Sequence, residues 1–462
     1  MLSYLDYGGI PMNGAINWQK ETDETVEHLV RLIRAQTVNP PGNELQAVLI
    51  VKDILEGAGF PHEAIQIVES TPERVNLVAR LKGDGTERPM LMSGHVDVVA
   101  VEREHWTHDP FGGEIIDGMV WGRGALDMKG FLAMYLQIFL GLLRQKVPLK
   151  RDVILAAIAD EEAGFIHGSN LLVEKHKELI DAEYGITEGG AMTIYIGKTR
   201  LYPIQVAEKA VCWMRVRARG IPGHGSVPHG ENPVLTLATV LEKLHHAGHL
   251  PVHLSPTFLK MIDSAGVQGG FPLKQFTQML HSPTLTSLLL SSIKGDSVNM
   301  LKALVTNTVS PTMLRAGSKV NVIPSEAVAD IDCRLVPGQM PEDVIREIHR
   351  IVGEEIELET VYTTGGAEFS TDTSFYRLLE EKTHQMDPGG LVIPMLLPGA
   401  TDACQYKHAG VKMYGFTPGI LPPGMPILQL AHGHDERMPI AYIQAGLPVL
   451  WDVVTEFCGG AA

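Results

Sequence analysis

His95 and Asp97 stand two positions apart at the end of the apolar run Leu91-Met92-Ser93-Gly94. On an extended strand, positions i and i+2 share a face. A carboxylate placed there can fix the tautomer of an imidazole offered to a metal ion. Other stretches supply candidate partners. Asp127 sits in the glycine-rich turn Gly122-Arg123-Gly124-Ala125-Leu126-Asp127-Met128-Lys129-Gly130, and its two carboxylate oxygens could bridge two cations. Read as a phosphate cradle, the same turn matches neither the P-loop nor the dinucleotide spacing. Asp160-Glu161-Glu162 closes the apolar run Asp152–Ala159. An isolated acidic triplet is a solvated helix start; beside a metal, adjacent glutamates can divide the work, one binding the ion and the other taking a proton from water. Glu188 ends the short run Tyr184–Thr187 before Gly189-Gly190, and Ala431-His432-Gly433-His434-Asp435-Glu436 offers His432 or His434. This inventory of imidazoles and carboxylates suits a pair of borderline divalent ions, zinc first, with cobalt or manganese also acceptable.

Such residues need a scaffold that brings strand ends together. Val75–Leu81, Pro89–Ser93, Asp152–Ala159 and Tyr184–Thr187 read as buried strands, and Glu24–Ala35, Glu44–Ala58, Met128–Leu143 and Ser169–His176 as helices. Their alternation predicts an α/β layer with a mostly parallel sheet. The pattern changes near Gln205. Val211–Arg219 places Arg215, Arg217 and Arg219 on one side, and Glu326–Leu335 alternates Ala327, Ala329, Ile331, Cys333 and Leu335 with polar residues. Pro233–His246 and Pro341–Val352 read as helices and Glu355–Val361 as a strand, whereas Leu254–Ser310 is mixed apart from the apolar helical run Leu285–Ile293. Helix and strand alternate again at Phe375–Gln385 and Val411–Phe416. The expected organisation is an α/β domain of residues 1–205 and 365–462, interrupted by an α+β insertion at 206–364.

The 462 residues exceed one ordinary core, and the net charge of −16 argues against nucleic acid as a partner. No apolar run approaches the ~20 residues that span a bilayer, so no membrane association is expected. Met1–Tyr7 lacks the basic and apolar segments of a signal peptide. Cys212, Cys333, Cys404 and Cys458 form neither a disulfide framework nor a C-x-x-C zinc knot, which suits a cytoplasmic setting.

The ordered motifs resemble the metallopeptidase family that contains aminoacylase, carboxypeptidase G, acetylornithine deacetylase, succinyl-diaminopimelate desuccinylase and carnosinase, from about residue 22 to the C-terminus. The resemblance implies a zinc-exopeptidase type of catalytic domain and an inserted lid that also forms a homodimer contact. It implies His95 as ligand to one metal with Asp97 touching His95 alone, Asp127 bridging both metals across a cis Asp127–Met128 peptide, and Glu161 as general base. Glu162 and Glu188 would each bind one metal. The last ligand lies four residues before a glutamate, which selects His432 over His434. His224, in Gly223-His224-Gly225-Ser226, resembles the lid histidine that stabilises the oxyanion, often from the partner subunit. Asn321 and Arg334 resemble lid residues that hold the substrate, although Arg334 could equally be a solvated partner of Asp332 or Asp330. Gly399-Ala400-Thr401-Asp402 matches a substrate-pocket loop, but Cys404 stands where aminoacylase and the desuccinylase carry an arginine, leaving Lys407 and His408 as nearby substitutes. The implied activity is hydrolysis of an amide bond in a small substrate, an N-acyl amino acid or a dipeptide. The alternatives are a strict dipeptidase or carboxypeptidase, and a non-catalytic metal-binding protein on the same scaffold.

Overall fold

The computed structural model describes residues 16–293 and 295–460; Met1–Tyr7 lies outside them. A ten-stranded sheet forms the centre, with four adjacent parallel strands in the order Val153–Ile158, Met90–His95, Tyr184–Thr187 and Lys412–Gly415. Antiparallel strands flank this block: Arg74–Leu81 and Ile65–Thr71 on one side, Thr199–Glu208 on the other. Alternate residues of each strand serve two cores. Met90, Met92, Leu155 and Ala157 face a large core built with the helices Trp18–Arg34, Leu45–Gly57, Lys129–Gln145 and Ile440–Cys458. Leu91, Ile154, Ala156 and Ile158 face a smaller one beneath Ser169–Lys175 and Ala403–Ala409. Burial on both faces explains the continuous apolar runs in the sequence.

The strand Thr199–Glu208 leads through the single residue Lys209 into Ala210–Arg219, which belongs to a second, antiparallel sheet. Its other members are Thr308–Ala316, Glu326–Leu335 and Glu357–Thr363. The alternation read from sequence holds: Ala327, Ala329, Ile331, Cys333 and Leu335 pack with Leu237, Val240, Val344 and Ile348 from Pro233–Ala247 and Pro341–Val352. On the opposite face Arg215 pairs with Asp330 and Arg217 with Glu326, each at 2.8 Å.

The expected helical run Leu285–Ile293 is the helix Pro283–Ser292, and the rest of the mixed stretch folds into Pro256–Gly269, Leu273–Met279 and Asp296–Val305, the four sharing a core of Phe258, Ile262, Leu280, Leu290 and Val305. Two of them begin on Ser-Pro-Thr. Ser255 and Ser282 accept hydrogen bonds from the N–H groups of Phe258 and Leu285, with proline at the first helical position. The strand Leu391–Leu397, which pairs with Thr199–Glu208 alone, was also not anticipated. Its Pro394 is tolerated because the strand has a neighbour on one side only. No helix among the described residues is long and apolar enough to cross a membrane.

His28 on the helix Trp18–Arg34 has both ring nitrogens buried, without hydrogen-bond partners among the described residues. Burial pushes its pKa down to about 4. The unfolded chain, with an ordinary histidine near 6.5, therefore binds the proton more readily, and stability falls as pH drops from about 6.5 to about 4. Between pH 7 and pH 4 the protein should lose ~3 kcal/mol more than its His28→Leu variant, measured by urea unfolding at a series of pH values; equal losses would refute the assignment.

Candidate active site

Three of the four central parallel strands deliver acids or histidine from their carboxyl ends, where open α/β sheets place their ligands. His95 ends one strand, Asp160-Glu161-Glu162 follow Ile158, and Glu188 follows Thr187. Register aligns them, because His95 lies opposite Ile158 and Met92 opposite Ile186. Asp127 enters from the turn before the helix Lys129–Gln145, across the cis Asp127–Met128 peptide, and His432 from the C-terminal loop.

His95 is fully buried, with Nε2 at 3.2 Å from Asp127 Oδ1 and 3.6 Å from Glu188 Oε1. On the far side of Asp127, His432 Nε2 lies 3.0 Å from Oδ2 and 3.3 Å from Glu162 Oε2. Ligand atoms of His95, Glu161 and Glu188, and likewise of His95, Asp127 and Glu162, lie within 4.8 Å of one another. His432 makes these contacts; its neighbour His434 turns away to Glu102 at 3.0 Å.

The electrostatics are those of too many acids around too few cations. Burial and the charge of Glu188 raise Glu161 well above the usual carboxylate range. Burial and Asp127 raise Glu188 to about 7, and the same two causes raise Glu162. Burial opposes ionisation of Asp127 too, yet the bonds from His432 and His95 hold it well below its ordinary value. The bonds to Asp127 and Glu162 raise His432 to about 10. Glu162 Oε1 is buried without a hydrogen-bond partner. Orphaned buried oxygen, crowded carboxylates and histidine nitrogens together fit divalent cations.

Asp97 does more than the sequence suggested. His95 Nδ1 lies 3.0 Å from the main-chain carbonyl of Asp97 and 3.5 Å from its Oδ1. The carboxylate also accepts the N–H groups of Glu161 at 3.2 Å and Glu162 at 3.1 Å, and the amide of Asn39 at 2.8 Å. It therefore positions the glutamate turn as well as the histidine. Asp160, the first acid of the triplet, has a left-handed φ of 67°. It is staked from three sides, by Asn39 at 2.9 Å, Arg74 at 2.6 Å and the N–H of His167 at 3.0 Å. Close packing follows: a Cβ on Gly168 would lie 1.7 Å from the Ala159 carbonyl. Asn39 escaped the sequence reading because it sits in the loop ahead of the helix Leu45–Gly57, outside every strand-end motif. An asparagine locked before two prolines was the available signal.

The remaining candidates gather elsewhere. His224 is exposed and bonds Ser226, while the Asn321 carbonyl accepts the Gly225 N–H at 2.9 Å, so these two neighbour each other. Among the described residues neither contacts the carboxylate cluster. Arg334 grips Asp332 with two bonds, 2.9 and 3.1 Å, which is the pairing that competed with its substrate role. Thr401 is buried and donates its N–H and hydroxyl to Glu208 at 3.0 and 2.8 Å, behind Gly399 on the same loop. Cys404 is fully buried, Lys407 donates to the Gly366 carbonyl, and His408 is exposed.

Fold and site together define a metal-dependent hydrolase. The chain belongs to the Peptidase family M20/M25/M40, whose profile matches residues 91–456. It is 30% identical over 380 residues to the probable carboxypeptidase S-like 2 of Dictyostelium discoideum, covering 79% of this chain and 71% of that one. It is 28% identical over 440 residues to aminoacylase-1 of Sus scrofa, covering 93% of each. An M20 family metallo-carboxypeptidase from Sulfolobus solfataricus shares the fold with a TM-score of 0.69 at 18% identity, covering 93% of this chain and 98% of that one.

Asp97→Asn replaces one acceptor oxygen by an amide that must face other donors. Divalent-metal affinity should fall roughly 10–100-fold, read by competition with a chelating dye. Unchanged affinity would remove Asp97 from the support of the site.

Proposed function

We propose that the protein hydrolyses the amide bond of a small substrate that carries a free carboxylate, an N-acyl amino acid or a dipeptide, with two divalent ions, zinc first and cobalt or manganese as alternatives. The observation that carries this reading is the convergence of His95, Glu162, Glu188 and His432 about Asp127, with Glu161 beside His95 and Glu188. His95 and Glu188 would hold one ion, Glu162 and His432 the other, and Asp127 both. Bound there, the ions would lower the pKa of a water and polarise the substrate carbonyl.

Glu161 acts as the general base. Its carboxylate lies with the ligand atoms of His95 and Glu188 within 4.8 Å of one another, where it takes the proton of the attacking water and returns it to the departing nitrogen. Asp97 holds His95 and the Glu161 N–H during this exchange. His224 stabilises the oxyanion, Asn321 holds the carbonyl end of the substrate, Arg334 would reach its carboxylate end only on releasing Asp332, and Gly399 and Thr401 form the pocket wall. The exposure of His224 and Asn321, away from the carboxylates of their own chain, supports a homodimer through residues 206–364 in which a second copy supplies the histidine. Four free, buried cysteines support a reducing cytoplasmic setting.

Glu161→Gln should lower turnover at least ~10²-fold while metal content, measured by plasma emission spectrometry, stays at that of the unaltered protein. Survival of full activity would refute the base assignment. A panel of N-acyl amino acids and dipeptides, each with its carboxyl-amidated counterpart, tests the substrate class. Free acids should be cleaved and amides spared; equal cleavage of both would exclude carboxylate recognition.

A further inference from the structure

We propose that the buried ion pair Arg123–Glu436 is a brace that fixes the separation of Asp127 and His432, and so sets the affinity of the metal position that His432 completes. The proposal rests on the two-ion reading above. Arg123 is 2% exposed and Glu436 wholly buried, and their side chains meet at 2.6 Å. Each residue belongs to one ligand-bearing loop and grips the other. Glu436 Oε2 also accepts the N–H of Gly124 at 2.9 Å, while Oε1 accepts those of Leu126 at 2.7 Å and Asp127 at 3.0 Å. In return, the Arg123 guanidinium donates to the carbonyls of Ala431 and Gly433, both at 2.8 Å. Those carbonyls flank His432 on either side.

The two metal positions depend on this pair unequally. His95 and Glu188 stand at the ends of sheet strands, and neither touches the brace. His432 has no strand beneath it: its side chain is 59% exposed, and the neighbouring main-chain strand begins only at Arg437, paired with Trp121. The planar guanidinium, with donors in a fixed fork, is the group suited to hold two carbonyls and a carboxylate at once. A lysine in its place keeps the charge and loses the fork. Glutamine at position 436 keeps the size and turns an amide donor toward Arg123 or the Gly124 N–H. Arg123 and Glu436 are therefore positioning residues that act through Asp127 and His432.

The test is a cobalt(II) titration of the metal-free full-length protein, followed by visible absorption and by metal content after desalting. The unaltered protein should take up two ions. Glu436→Gln should bind one ion with near-unaltered affinity and the second at least tenfold more weakly, and Arg123→Lys should fall between the two. If Glu436→Gln loses its circular-dichroism signature, the double variant Arg123→Gln/Glu436→Gln, which leaves no charge buried alone, is read in the same titration. Two ions bound as tightly as in the unaltered protein would overturn the brace, and so would equal weakening of both positions, the signature of a general loss of stability. Fewer than two ions in the unaltered protein would overturn the two-ion reading itself, and the role of the brace would fall with it.

Discussion

Like charges held close together in a buried place repel, and Asp127, Glu161, Glu162 and Glu188 are held in that way. Burial disfavours each ionised form, and the neighbours add to the cost. Two imidazoles relieve part of it by gathering on the two oxygens of Asp127. Divalent cations relieve more, because each brings a double charge with open coordination sites. Everything around the cluster serves to prevent the acids from moving apart.

Rigidity comes from two kinds of support. The sheet fixes His95, the Glu161–Glu162 turn and Glu188 by register, since each follows directly from a strand buried on both faces. Hydrogen bonds fix what lies beyond the strands. Asp97 ties its own strand end to the glutamate turn, Asn39 ties Asp97 to Asp160, and Arg74 ties Asp160 to Glu44 at 2.8 Å. The acidic triplet thus divides its duties: Asp160 shapes the turn, whereas Glu161 and Glu162 face the cluster.

Much of this was legible because strand ends leave a simple trace, an apolar run followed by an acid or histidine beside a glycine. His95 and Glu188 carry it in full, Glu161 and Glu162 follow an apolar run without an adjoining glycine, and Asp127 shows only as an acid in a glycine-rich turn; the structure brings them together with His432. What escaped depends on distant pairing. Asn39 and Arg74 become supports only once residues far apart in the chain meet, and no local pattern marks that. Of the helices between Pro256 and Val305 the apolar run Leu285–Ile293 was legible; the others went unread, although Ser255-Pro256 announces the start of one, as Ser282-Pro283 does for the helix that was read. Pro394 concealed a strand whose position at the sheet edge is a tertiary fact. Arg334 had two partners in prospect, and sequence offers no measure of which lies closer; Asp332 holds it here.

The passage between the two sheets has a structural consequence. Thr199–Glu208 and Ala210–Arg219 are nearly one continuous rod, interrupted at Lys209, whose ammonium is moored to the carbonyls of Ala303 and Thr306. Glu208, the last residue before that joint, carries Thr401 of the pocket loop on its carboxylate. Glu208 therefore serves two places at once: it closes the strand that enters the second sheet, and its carboxylate anchors the Gly399–Thr401 loop, so a substitution there disturbs both together.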